Sequence, residues 1–106
     1  MTRFVKDGKV AVVVASDYSC RWFTNHGVEE LLFDPNIVSL VLEIEEAEDK
    51  LSIAHDIETY CDSAYGERSY YGDSMNLEVQ FVPMGSEISV KNINGWEEIT
   101  EGNIKV

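Results

Sequence analysis

Apolar residues recur at steps of three and four through the middle of the chain, between Ile37 and Ala64. This period is typical of an amphipathic helix that packs one face against a core. The pattern begins after Asp34, which can cap free backbone N–H groups, and Pro35, which suits the first helical position. One helix of this length would be long in a chain of 106 residues. We therefore expect one or two central helices, with a break near residues 48–51.

Segments typical of strands flank the helical region on both sides. Asp7-Gly8 lies between β-forming residues and is a strong hairpin signal. The run over 10–15 is apolar on both faces, which predicts a strand in the centre of its sheet. Beyond the helices, residues 77–82 alternate as in a half-buried strand, and Asn94-Gly95 turns the chain between two further strands. This order predicts an α+β fold, with a small antiparallel sheet from N- and C-terminal hairpins and the helices on one face.

The length fits a single domain over residues 1–106. The end of the chain, residues 100–106, is predicted to be a weakly held tail. No apolar run approaches the roughly 18 residues of a membrane span or forms a signal-peptide core. The two cysteines, Cys20 and Cys61, are too few for a disulfide scaffold. We expect an intracellular protein with no membrane partner.

The net charge of the chain limits the kinds of molecule that it can bind. Twenty carboxylates against eight Lys and Arg give a net charge of −12, which repels phosphate backbones and disfavours direct nucleic-acid binding. Eight of the carboxylates fall within residues 43–62, with only Lys50 opposing them. Helical steps would place Glu45, Glu48 and Asp49 on one side. Such a face could imitate the phosphate array of DNA, or it could be an ordinary solvated helix face.

Two irregular segments, 16–27 and 66–76, carry residue types that dominate binding hot spots. The candidates are Tyr18, Arg21, Trp22, Asn25 and His26 in the first loop and Arg68, Tyr70 and Tyr71 in the second. An arginine beside stacking aromatic rings can hold the phosphate and base of a nucleotide. The alternative is that Trp22 and Phe23 cover the sheet while the tyrosines pack at the domain edge.

Metal binding and catalysis are disfavoured by the spacing of Cys and His. The pairs Cys20/His26 and His55/Cys61 miss the usual structural-zinc spacings in part. Helical positions six apart lie about 240° around the axis from each other, so a buried Cys61 and an exposed His55 are the simpler interpretation. No complete set of nucleophile, base and orienting group surrounds Cys20. We expect no metal, no cofactor, no catalytic residues and no enzymatic activity.

Three segments and one tryptophan carry a family resemblance. They are Lys6-Asp7-Gly8-Lys9-Val10-Ala11-Val12, Trp22, Leu31-Leu32-Phe33-Asp34-Pro35-Asn36-Ile37-Val38, and Leu77-Glu78-Val79-Gln80-Phe81-Val82-Pro83 with Gly85. Together they resemble small uncharacterised proteins encoded by tailed bacteriophages. The resemblance implies no known activity. It implies a phage protein that acts in the bacterial cytoplasm on a host factor.

Three hypotheses about function remain open. The leading one is a non-enzymatic acidic phage protein that binds a host protein, for host takeover or counter-defence, through the acidic helix face and the aromatic loops. The second is a sequestering protein that traps a small nucleotide signal between loops 16–27 and 66–76, with a homodimer or other oligomer left open. The third is a virion or structural component.

Overall fold

The computed structural model describes residues 3–16, 22, 29–65, 76–94 and 96–106. These residues form two antiparallel sheets of three strands each, together with helical segments, so the α+β class is confirmed. In chain order the elements are β1 (Val5–Lys6), β2 (Lys9–Ala15), α1 (Glu30–Phe33), α2 (Pro35–Glu46), α3 (Lys50–Tyr65), β3 (Leu77–Pro83), β4 (Glu87–Ile93), β5 (Trp96–Glu101) and β6 (Ile104–Lys105).

The first sheet has the strand order β1-β2-β3, which places β2 in the centre as predicted. Asp7 and Gly8 have positive φ angles of 52° and 75°, as a two-residue type I′ hairpin turn requires. Lys6 pairs with Lys9 across this turn. On its other side β2 pairs along its whole length with β3.

The second sheet has the order β5-β4-β6, and its β4–β5 pair is the predicted C-terminal hairpin. β3 and β4 follow each other through a turn but belong to different sheets. In that turn the Ser86 N–H donates to the Pro83 carbonyl at 3.1 Å, and Gly85 has a φ of 91°, the left-handed conformation that glycine adopts without strain. The expected sheet is therefore divided into two.

β2 explains this division, because both of its faces are apolar and both need cover. One face packs with α2 and α3 in a helix-side cluster, to which β2 contributes Ala11, Val13 and Ala15. The other face packs with α1 and the second sheet in a sheet-side cluster, to which β2 contributes Val10, Val12 and Val14. All six side chains are at most 2% exposed. α2 and α3 thus lie on one face of the first sheet, and the second sheet with α1 lies on the other.

Of the one or two central helices expected, the structure has two, and the break predicted near residues 48–51 lies at residues 47–49, between α2 and α3. α2 begins as expected, because Pro35 occupies its first turn and Asp34 Oδ1 accepts the N–H of Asn36 at 2.8 Å. Asp49 Oδ1 accepts the N–H of Ser52 at 3.1 Å and caps the start of α3 in the same way.

Residues 100–106, expected to form a weakly held tail, are instead built into the second sheet. β5 continues to Glu101, and β6 pairs with β4 through Ile104. Val106 is 8% exposed; its N–H donates to Ser86 O, and its carbonyl accepts from the Gly85 N–H, both at 2.9 Å. The apolar side chains of Ile104 and Val106 join the sheet-side cluster, and their burial holds the segment in place.

Candidate functional site

The outer surface of α2 and α3 is densely acidic. Every carboxylate within residues 43–62 is exposed: Glu43, Glu45, Glu46, Glu48, Asp49, Asp56, Glu58 and Asp62. We call these eight residues the acidic surface. Lys50 and His55 are exposed among them. The apolar residues of the two helices face inward to the helix-side cluster, so the helical layer is apolar inside and anionic outside.

Glu45, Glu48 and Asp49 occupy two settings on this surface. Glu45 lies in the last turn of α2, whereas Glu48 and Asp49 lie in the break. Because α2 ends at Glu46 and α3 begins at Lys50, helical steps do not relate the three residues. Asp49 has a structural role as the cap of α3. Leu51, two residues later, is 70% exposed.

Of the loop residues predicted to bind a partner or ligand, the structure describes Trp22. Trp22 is fully buried in the helix-side cluster, which matches its alternative interpretation as cover for the sheet. The remaining candidates lie outside the described residues: Tyr18, Arg21, Asn25, His26, Arg68, Tyr70 and Tyr71.

The roots of the two loops are held side by side. Ala15 and Leu77 form the last pair of the β2–β3 ladder. Beyond it, the N–H and Oγ of Ser16 both donate to the carbonyl of Asn76, at 2.8 and 2.9 Å. The segment that follows Ser16 and the segment that precedes Asn76 therefore leave the same end of the first sheet from adjacent points.

A buried carboxylate lies at this same end. Glu97 of β5 is 1% exposed, and its Oε1 accepts the N–H of Ala15 at 2.9 Å. Sequence reasoning missed this residue. Strand alternation could have predicted that the Glu97 side chain faces inward. Glu97 and the apolar Ile99 are two residues apart and so share a face of β5.

A second polar cluster surrounds Asp34, which is 1% exposed. Its Oδ2 accepts hydrogen bonds from the hydroxyls of Tyr60 at 2.7 Å and Tyr65 at 2.5 Å, and Asn36 Nδ2 donates to the Tyr60 hydroxyl at 3.0 Å. Burial, followed by the hydrogen bond to Asp34, raises the pKa of both tyrosines. The cluster ties the end of α3 to the start of α2. The sequence indicated only the capping role of Asp34.

Cys61 and His55 have different environments on α3. Cys61 is fully buried, and this burial, followed by the charges of Asp34, Asp62 and Glu58, raises the pKa of its thiol to about 12. His55 is exposed. A protonated thiol is a poor nucleophile and a poor metal ligand. Across the described ranges, no three His, Cys, Asp or Glu side chains lie close enough together to hold a metal ion.

Comparison with known proteins gives no relative for this chain: no family model, no curated protein and no solved structure matches it. Within the described residues, no helix has both the length and the apolar character needed to cross a membrane.

Proposed function

We propose that the protein is a non-enzymatic binding protein of a tailed bacteriophage that captures a basic host protein in the bacterial cytoplasm. The acidic surface of α2 and α3 is the proposed contact. The exposure of all eight carboxylates within residues 43–62 carries this proposal. Their helices are packed through the opposite side onto the first sheet, so the carboxylates project from a supported layer.

The electrostatics favour a partner that normally contacts nucleic acid. Such a protein presents clustered Lys and Arg side chains to phosphates, and a dense array of carboxylates offers the same sign of charge. The net charge of −12 adds long-range attraction for a basic surface. Each exposed ion pair contributes at most about 1 kcal/mol, so affinity would depend on several pairs together and would fall steeply with salt.

A matched pair of triple variants tests the proposal. The first carries Glu45→Gln, Glu48→Gln and Glu58→Gln on the acidic surface. The control carries Glu87→Gln, Glu98→Gln and Glu101→Gln, which are exposed on the second sheet. Both remove three negative charges from the chain. Each protein is immobilised, a bacterial lysate is passed over it, and the retained proteins are eluted with rising salt.

The wild type and the control should retain the same basic protein at physiological salt, and the acidic-surface variant should lose it. Duplex DNA added as competitor should release the protein from the wild type, because both ligands would use the same basic surface. Equal loss in both triple variants would show that net charge alone is responsible. Absence of any retained protein from the wild type would overturn the proposal.

A second candidate function is the capture of a small anionic ligand, such as a nucleotide, between loops 16–27 and 66–76. The bonding of Ser16 to Asn76 favours it, because it brings the two loop roots together. Arg21 and Arg68 are the cations that these loops supply. Trp22 is buried, so stacking would fall to the tyrosines.

A thermal-shift screen against nucleotides tests this candidate. A ligand that binds the native protein should raise its Tm by mass action, and Arg21→Ala or Arg68→Ala should reduce the shift. No shift with any nucleotide, or an unchanged shift in both variants, would exclude it.

A further inference from the structure

A second exposed surface consists of lysines and apolar side chains, in contrast to the carboxylates of the acidic surface. It lies at the tip of the N-terminal hairpin, and we call it the hairpin patch: Lys6, Lys9, Phe81 and Met84. Its two apolar members, Phe81 and Met84, are exposed by 37% and 57% respectively. Exposed apolar side chains that are grouped together mark a contact surface, whereas singly scattered ones are normal on any protein.

Lys6, Lys9 and Phe81 share one face of the first sheet, because Lys6 pairs with Lys9 and Phe81 pairs with Ala11, two residues along β2 from Lys9. Lys6 and Lys9 are paired across the turn, and with Asp7 and Phe81 they line a cleft of about 270 Å³. The Met84 N–H donates to the carbonyl of Gly8 at 3.0 Å, which holds Met84 against the same turn. The cleft is therefore lined by one aromatic side chain, two lysines and one aspartate.

A complementary surface exists on the chain itself. Glu48 and Asp49 are exposed in the break between α2 and α3, and Leu51 beside them is 70% exposed. We call these three residues the acidic corner. Among the described residues, the exposed large apolar side chains are those of Phe81 and Met84 in the patch, Leu51 in the corner, and Val5, which pairs with Val10 and so lies on the other face of the first sheet. The two surfaces thus account for three of the four.

We propose that the hairpin patch of one copy binds the acidic corner of a second copy. The Leu51 side chain enters the cleft beside Phe81, while the carboxylates of Glu48 and Asp49 face the ammonium groups of Lys6 and Lys9. The cleft has room for an isobutyl group, since a cavity of roughly 150 Å³ already holds benzene. Each surface also carries one residue of the other sign, Asp7 in the cleft and the exposed Lys50 between Asp49 and Leu51, and these two can face each other in the same contact. Opposite charges therefore meet, and apolar side chains on both copies leave water.

The charge of the whole chain opposes this contact but does not prevent it. Two copies of net charge −12 repel each other, yet at physiological salt this repulsion is screened beyond about 8 Å. The facing pairs of the patch and the corner lie well inside that distance. Each copy offers one patch and one corner, so the contact either closes as a symmetric dimer or a ring, or repeats as an open chain of copies.

This inference does not need a basic host partner. The two contacts share Glu48 and Asp49, so self-association would compete with capture of a basic protein. Substitutions in the hairpin patch separate them, because Lys6 and Lys9 lie outside the acidic surface. A patch variant should lose self-association and keep host-protein capture. The proposed function and this inference can therefore fail independently.

Sedimentation velocity over a concentration series, at physiological salt, tests the contact with two complementary variants. One carries Lys6→Glu and Lys9→Glu and keeps its corner. The other carries Glu48→Lys and Leu51→Ser and keeps its patch. All four positions are exposed, so folding should survive, which circular dichroism checks. A control with Lys91→Glu and Lys105→Glu makes the same charge change on the second sheet.

The wild type and the control should self-associate, and each complementary variant alone should associate about tenfold or more weakly. An equimolar mixture of the two should form a one-to-one complex, because one intact corner then meets one intact patch. A monomeric wild type at every concentration would overturn the inference. So would undiminished association of the Lys6→Glu, Lys9→Glu variant, or a mixture that stays monomeric.

Discussion

Glu97 Oε1 accepts a hydrogen bond of 2.9 Å from the backbone N–H of Ala15, which joins β5 of the second sheet to the end of β2 in the first. Farther along the same edge of β2, the Ala11 N–H donates to the carbonyl of Phe4. β1 ends near the hairpin and provides no main-chain acceptor beside Ala15. A side chain from the second sheet therefore satisfies a buried donor that the first sheet leaves open.

Two substitutions of Glu97 distinguish the contribution of its hydrogen-bond acceptor to stability from the contribution of its side-chain volume. Glu97→Gln retains an oxygen for the Ala15 N–H and should lower the free energy of unfolding by less than about 1 kcal/mol. Glu97→Leu fills the space but leaves the donor unsatisfied, and should cost about 1–3 kcal/mol. Urea denaturation followed by the fluorescence of Trp22 and Trp96 measures both. Equal stability of the two variants would show that the hydrogen bond contributes nothing.

The tyrosines around Asp34 predict a loss of stability in alkali. Burial and the Asp34 carboxylate raise the pKa of Tyr65 in the folded state above its ordinary value near 10. The contribution of Tyr65 is therefore complete below about pH 10 and is lost as the pH rises toward the folded value. Tyr65→Phe should be less stable at pH 7 by about 1–3 kcal/mol, because Asp34 loses a donor.

The same variant should lose less stability between pH 9 and pH 11 than the wild type does, because it lacks the raised pKa. Burial also raises the pKa of Tyr60 and of Cys61. Both groups are present in both proteins, so the difference between the two curves reports the loss of Tyr65 and of its interaction with Tyr60. Urea denaturation at a series of pH values gives the curves. Parallel curves would contradict the assignment.

Local rules predicted much of the fold. Asp34 and Pro35 mark the start of α2, since a cap and a fixed φ act on adjacent backbone groups. Asp7-Gly8 marks the first hairpin, since few other pairs adopt two positive φ angles. The apolar run over 10–15 predicted a central strand. Both faces of this strand are apolar because α2 and α3 pack on one and the second sheet packs on the other.

Partners distant in sequence could not be predicted in this way. Glu97 meets Ala15 only because two sheets pack on each other, and Tyr65 meets Asp34 only because α3 folds back along α2. The tail was misjudged for the same reason. Its position at the chain terminus predicted loose attachment, whereas Val106 is hydrogen-bonded to Gly85 and Ser86 of the turn between β3 and β4.

Cys61 should be protected from thiol reagents in the native state. Its side chain is fully buried and its pKa is raised to about 12, so the thiolate that reacts is scarce at pH 8. A Cys20→Ser variant isolates the signal of Cys61.

The reaction of Cys61 with a chromogenic disulfide should be slow in buffer and immediate in denaturant. The concentration of urea that exposes the thiol should coincide with the unfolding midpoint measured by fluorescence, and rapid labelling before that midpoint would contradict the burial.

Gly102 permits the close approach of the β5–β6 connection to β4. Its N–H donates to Glu87 O at 3.3 Å. A β-carbon at this position would overlap the Cβ of Ser89 and lie 2.5 Å from the carbonyl oxygen of Ile88. Gly102→Ala must therefore push the connection away from β4, at a cost of about 1–3 kcal/mol. The displaced segment should also release Val106, whose N–H donates to Ser86.

Gly8→Ala is the matched control for this steric effect. Gly8 has a φ of 75° and open space around it, so its substitution strains the backbone by about 1–2 kcal/mol without a clash. Hydrogen exchange distinguishes the two variants even when their stabilities are similar. In Gly102→Ala the amide of Val106 should exchange faster than the global unfolding rate allows, because β6 opens locally. In Gly8→Ala it should follow global unfolding, since β6 keeps its place on β4. Equal protection of Val106 in both variants would mean that the connection can accommodate a methyl group without releasing the end of the chain.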